Sequence, residues 1–266
     1  MPIAELEGRR VYYEEHGEGD PVLLINGLGA DHTTWALQTE FLRERRLRVI
    51  VFDNPGVGQT EGPPGPYTSE LFADVAASLL RFLGLERAHI VGASMGGLIA
   101  QQLAVRHAGL VRSLTLHCSW WRADRYTTAL IRSWQGYARA ATPLELARQI
   151  WLWVFTPRFF EEHPDEIAAL EREVEANPFP QSSDAFCDQA EACVSHEALE
   201  EIRSIEAPTL ITVGDGDILT PPAHSYEIKA RMPSATLHVW REMGHAPFWE
   251  IPDEFNELTY SFLAAH

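Results

Sequence analysis

The chain has 266 residues, 45% of them hydrophobic, with 21 basic against 38 acidic side chains and a formal charge of −17. That is enough apolar chain for one large domain or a domain with an insertion. It lacks the clustered cations that a phosphate backbone requires, which argues against nucleic acid as a partner, and no apolar run reaches the ~18 residues needed to cross a membrane.

Two alternating segments open the chain, Ile3 to Leu6 and Arg10 to Glu15, with Glu7-Gly8 between them, and predict a hairpin. Pro21 to Asn26 and Leu47 to Phe52 are short continuous apolar runs, as expected for strands buried on both faces. Ala88 to Val91, Ser113 to Leu116, Thr209 to Val213 and Thr236 to Trp240 repeat the type. Helical patterns lie between them at Thr34 to Arg45, Ser69 to Leu83, Met95 to His107, Pro222 to Met232 and Asp253 to Leu263. Strands alternating with helices predict a mostly parallel sheet covered on both faces. Sites in such sheets lie beyond the carboxyl ends of the strands. Ser119 to Ser204 breaks the alternation. It is rich in Glu, Ala, Leu and Arg and carries Trp120, Trp121, Trp134, Trp151 and Trp153, with a break at Asn177-Pro178-Phe179-Pro180. It reads as a helical lid over 119–204, inserted into a core made of 1–118 and 205–266.

Gly92-Ala93-Ser94-Met95-Gly96 stands between a predicted strand and a predicted helix. A serine flanked two residues away on each side by glycine is the nucleophile-elbow pattern, because a strand that turns at once into a helix leaves no room for side chains beside the corner. A serine hydroxyl needs a base, and the base needs an orienting carboxylate. In this order of motifs both follow the serine, each just after a strand. Asp217, three residues past Gly214, is favoured over Asp215, which is expected to close the turn itself. His245, in Gly244-His245-Ala246-Pro247, is the base candidate. Of the other histidines, His107 ends a helix, His238 lies within a strand, and His117 at a strand end is the rival. Asn26-Gly27-Leu28-Gly29 follows another predicted strand, and the backbone N–H groups of Leu28 and Met95 are the expected oxyanion donors. Trp121, Trp134 and Trp153 are the candidates for substrate contact.

Other chemistries find little footing. Lys229, the single lysine, lies in a polar helical stretch, so a Schiff base has no good candidate. Cys118, Cys187 and Cys193 are odd in number and fit no zinc spacing; they read as reduced thiols of a cytoplasmic protein. The metalloprotease, phosphate-loop and dinucleotide patterns are absent. The opening residues, Met1 to Glu5, lack the basic region and apolar core of a signal peptide.

With these motifs in order, the chain resembles the α/β-hydrolase superfamily over essentially its whole length. The matching segments are NGLGADHTTW from Asn26, GASMGG from Gly92, GDGDILTP from Gly214 and GHAPFWE from Gly244. The resemblance implies an α/β-hydrolase fold: an eight-stranded, mostly parallel sheet with helices on both faces and an inserted helical lid. Asp53-Asn54-Pro55-Gly56-Val57-Gly58 matches a superfamily loop, but Pro55 replaces the usual arginine, so that loop must be held otherwise. Asn26 in place of histidine, and the segment Trp153 to Phe159, are similar to small carboxylesterases and 3-oxoadipate enol-lactonase-like members. The implied activity is hydrolysis of a carboxylic ester or lactone of a small to medium, largely apolar substrate, without cofactor or metal. An enol-lactone would need a cation, for which Arg122, Arg125, Arg132 and Arg158 are lid candidates. Carbon–carbon hydrolysis of a ring-cleavage product is the alternative on the same residues, and a ligand receptor is the non-enzymatic one. A homodimer is left open.

Overall fold

The computed structural model describes residues 2–266; Met1 lies outside them. Eight strands form one sheet: β1 (Ile3–Leu6), β2 (Arg9–His16), β3 (Asp20–Ile25), β4 (Leu47–Phe52), β5 (Ala88–Ala93), β6 (Val111–His117), β7 (Thr209–Gly214) and β8 (Thr236–Trp240). Their spatial order is β1-β2-β4-β3-β5-β6-β7-β8. The β1–β2 and β2–β4 pairs are antiparallel and the remaining pairs are parallel. The eight-stranded, mostly parallel sheet anticipated above is present. β5 and β6 run longer than their apolar runs suggest, because the ladder continues through Gly92↔Leu116 and Ala93↔His117. Glycine hides that extension from a propensity reading.

The continuous apolar runs are explained by the packing. In β3 and β4, Leu23, Ile25, Ile50 and Phe52 face one hydrophobic cluster, and Val22, Leu24, Val49 and Val51 face another. Alternate side chains therefore bury on opposite faces, and each position must be apolar. Helix α1 (Ala36–Glu44) packs on the second face. α2 (Ser69–Phe82) and α3 (Met95–Arg106) pack on the first.

Five helices lie between β6 and β7: α4 (Arg125–Ala138), α5 (Pro143–Val154), α6 (Pro157–Glu162), α7 (Pro164–Ala176) and α8 (Ser183–Ser195). Local sequence sets their starts. Asp124 and Ser182 accept backbone N–H bonds at α4 and α8, and Thr142 with Glu145 forms a reciprocal capping box at α5. Proline occupies the first position of α5, α6 and α7, where its missing N–H costs nothing. The Asn177-to-Pro180 break falls between α7 and α8. α9 (Ala223–Arg231) follows β7, and α10 (Pro247–Glu250) and α11 (Pro252–Ala264) close the chain. Among the described residues, no helix is long and apolar enough to cross a membrane.

Candidate active site

Ser94 is the single residue between β5 and α3. Its φ of 56° and ψ of −122° lie where a non-glycine residue pays about 1–3 kcal/mol. The surroundings hold it there. Its N–H donates to the His117 carbonyl at 2.9 Å, and its carbonyl accepts from the Gly97 N–H at 2.9 Å and from Ser119 Oγ at 3.1 Å. A Cβ on Gly92 would overlap the Gly96 carbonyl oxygen, and one on Gly96 would overlap the Ile25 carbonyl oxygen. The two flanking glycines are thus a steric requirement of the corner.

Asp217 and His245 come from the loops after β7 and β8 and are both buried, at 3% and 4% exposure. The His245 Nδ1–Asp217 Oδ2 distance is 2.9 Å. Asp217 Oδ1 accepts the N–H groups of Leu219 (2.9 Å) and Thr220 (2.8 Å). Its Oδ2 accepts from Thr220 Oγ1 at 2.6 Å. Asp215 instead accepts the Glu242 N–H at 2.7 Å and ties two loops together. His117, the rival base, is fully buried beside Thr212 and Phe255, where desolvation pushes it down to about 3. His107 pairs with Asp74 and His238 packs on Trp240.

The segment after β3 approaches the corner closely. A Cβ on Gly27 would lie 3.3 Å from Ser94 Cβ and 3.8 Å from Oγ. Leu28 follows, half-buried, and Met95 opens α3, where backbone N–H groups lack intrahelical partners. Gln189 of α8, fully buried, accepts the Gly29 N–H at 3.1 Å and donates to the Pro55 carbonyl at 2.9 Å. Gln181 donates to the Gly56 carbonyl at 2.9 Å. Asp53 accepts the N–H of Gln59 and both the N–H and Nδ1 of His32, each at 2.8 Å. These glutamines and His32 hold the loop around Pro55.

Ser94, Gly27, Leu28 and His245 line one cavity of about 580 Å³. Its far wall comes largely from the inserted helices and is mostly apolar, with Trp134, Leu146, Ile150, Trp151, Phe155 and Phe186 beside the polar Arg139, Glu173 and Asn177. Of the three expected tryptophans, Trp134 is on the wall. Trp121 and Trp153 are not, and this corrects the sequence reading. Trp121 donates to Glu227 and is flanked by the Arg122 and Arg231 guanidinium groups at 4.6 and 4.8 Å. Trp153 packs into the core cluster. By helical periodicity Trp153 shares the face of Leu146 and Ile150 (i, i+4, i+7), yet it is Trp151, about 100° round the helix from Ile150, that lines the cavity. Trp35, Trp249 and Phe248 also line the cavity, from the core side. The candidate arginines are elsewhere: Arg132 pairs with Glu191 and Arg158 with Glu162. Arg139, at the end of α4, is the cation on the wall.

Cys118 Sγ, a carboxylate oxygen of Asp217 and a ring nitrogen of His245 lie within 4.8 Å of one another. Burial and the Asp217 charge push the thiol well above its ordinary range, so a thiolate ligand is disfavoured there. The donor set fits a protonated, structural thiol better than a metal site. The inserted helices are also tied to the base: the His245 N–H donates to the Val154 carbonyl at 3.1 Å, and Glu250 accepts the Thr156 N–H at 2.9 Å.

The α/β-hydrolase fold family model matches residues 20–252, and the chain belongs to that family. It is 32% identical over 265 residues to a putative carbamate hydrolase, RutD, of Azorhizobium caulinodans, covering 98% of each chain. It is 31% identical over 263 residues to a 2-hydroxymuconate semialdehyde hydrolase of Pseudomonas putida, covering 97% of this chain and 92% of that one. Among solved structures it is similar to the enol-lactonase of Burkholderia xenovorans, with a TM-score of 0.90, 26% identity and coverage of 99% and 100%. The protein is an α/β hydrolase, of a kind whose relatives act on small molecules.

Proposed function

We propose that the protein hydrolyses a carboxylic ester or lactone through an acyl-enzyme, with Ser94 as nucleophile, His245 as general base and Asp217 as its orienting acid. The observation that carries this reading is the buried His245–Asp217 pair opening onto the same cavity as the strained corner serine. With Nδ1–H committed to Asp217, Nε2 is the nitrogen left to take the Ser94 proton. The alkoxide attacks the substrate carbonyl, and the oxyanion is received by the backbone N–H groups of Leu28 and Met95. Each such donor is typically worth on the order of a hundred- to a thousandfold in rate. His245 then protonates the leaving alcohol, and water repeats the cycle on the acyl group. The apolar wall suits a small to medium hydrocarbon or ring. Three buried free thiols agree with a reducing, cytoplasmic setting. Burst release of alcohol from an aryl ester, abolished in Ser94→Ala, is the expected result; undiminished turnover by that variant would sink the proposal.

A second reading is hydrolysis of a carbon–carbon bond in a ring-cleavage product, favoured by the 31% identity to the 2-hydroxymuconate semialdehyde hydrolase. Loss of the absorbance of such a product, faster than hydrolysis of any ester tested, would select it.

A further inference from the structure

We propose that Thr220 is a positioning residue for the acid–base pair, sharing the Nδ1 proton of His245 with Asp217 and able to hold the ring in the same tautomer when the carboxylate is gone. The role rests on the hydrolytic reading above. Thr220 is 1% exposed and lies in the loop that carries Asp217. Its Oγ1 is 3.1 Å from His245 Nδ1, 2.6 Å from Asp217 Oδ2 and 3.1 Å from the Cys118 carbonyl oxygen.

A hydroxyl has one proton to donate and two lone pairs with which to accept. The carbonyl and the carboxylate only accept, so the hydroxyl proton goes to one of them. The shorter approach assigns it to Asp217. Oγ1 then presents a lone pair to Nδ1–H, which is shared between Oγ1 and Asp217 Oδ2. The three groups close a triangle around one imidazole proton, and the ring cannot turn without breaking two hydrogen bonds. The Cys118 carbonyl supplies the alternative. If Asp217 is removed, the Thr220 hydroxyl can rotate, donate to that carbonyl and still accept Nδ1–H. Cys118 reaches this place through a left-handed backbone at the end of β6, with φ of 48°. The two loop N–H groups on Asp217 Oδ1 fix the carboxylate independently of Thr220.

Thr220→Val keeps the shape and removes the hydroxyl, whereas Thr220→Ser keeps the hydroxyl. The account expects kcat on an aryl ester to fall roughly ten- to a hundredfold in Thr220→Val, the effect of one hydrogen bond to a charge-bearing group. KM should stay within about twofold, and Thr220→Ser should recover most of the loss. The downfield proton resonance of His245 Nδ1 should move in Thr220→Val and return in Thr220→Ser. In an Asp217→Ala background, adding Thr220→Val should cost a further tenfold or so. Unchanged kcat in a folded Thr220→Val, a serine variant as slow as the valine one, or a double variant no slower than Asp217→Ala would overturn the assignment. Thr220→Ala replaces Thr220→Val if the latter does not fold. Ser94→Ala, run in parallel, separates the two failures: full activity there refutes the hydrolytic reading, whereas its loss beside a normal Thr220→Val refutes only this role.

Discussion

Replacing Gln189 by leucine tests how the inserted helices hold the loop next to Ser94. Gln189 is fully buried, and its amide joins the Gly29 N–H to the Pro55 carbonyl, bridging two loops of the core from α8. Leucine is of similar size, so the change opens little cavity and acts mainly by leaving two backbone groups without partners. A buried polar group without a partner costs about 1–3 kcal/mol. Gly29 is exposed and its N–H can turn to water, so the buried Pro55 carbonyl carries the cost and the expected loss is about 1–3 kcal/mol. For a chain of this size that corresponds to a fall of about 3–10 °C in the thermal midpoint. Activity should respond as well, because Leu28, the proposed oxyanion donor, immediately precedes Gly29. A donor moved off its position loses effect only in the transition state, so kcat should fall about tenfold or more while KM moves little. Differential scanning calorimetry and steady-state kinetics on one aryl ester read both effects. A midpoint within about 1 °C of wild type together with an unchanged kcat would refute the reasoning.

Two other perturbations follow from the same contacts. Burial alone would lower the His32 pKa, but the hydrogen bond and charge of Asp53 outweigh it and leave it raised. A raised folded-state value stabilises the fold fully below the unfolded histidine value and loses that contribution as pH rises through the folded one. His32→Gln should therefore cost more stability at about pH 5.5 than at about pH 8.5 by urea denaturation, and an equal cost at both would count against the ion pair. Trp151 lines both the main cavity and an outer cleft of about 320 Å³ bounded by Tyr137, Leu152, Phe160 and Ile167. Trp151→Ala should join the two and shift the chain-length profile of ester hydrolysis toward longer acyl groups; an unshifted profile would show that the indole does not set the limit.

Much of this was legible in the sequence. Apolar runs such as Val22 to Ile25 mark strands buried on both faces, and the parallel sheet needs them wherever helices cover both sides. The elbow was legible because glycine at 92 and 96 is sterically compelled. The choice of Asp217 over Asp215 followed from distance along the turn, and the two side chains do take different partners. The cavity wall was not legible. Trp121, in the loop before α4, and Trp153, on α5 beside Trp151, carry the same residue type as the wall tryptophans, so type and spacing do not separate wall from core. Gln189 bridges Gly29 and Pro55 across 160 and 134 residues, and Thr220 meets His245 and Cys118 across 25 and 102, which no local pattern announces. In Gly214-Asp215-Gly216-Asp217-Ile218-Leu219-Thr220-Pro221, the hydroxyl three residues past the acid was the one available hint.

The most direct test of the central claim is mass spectrometry of the peptide containing Ser94 after reaction with an organophosphate such as diethyl p-nitrophenyl phosphate. The account predicts one phosphoryl adduct per chain, on Ser94, forming at least a thousandfold or so more slowly when His245 is replaced by alanine. An adduct on another residue, or labelling of Ser94 at the same rate without the imidazole, would contradict it.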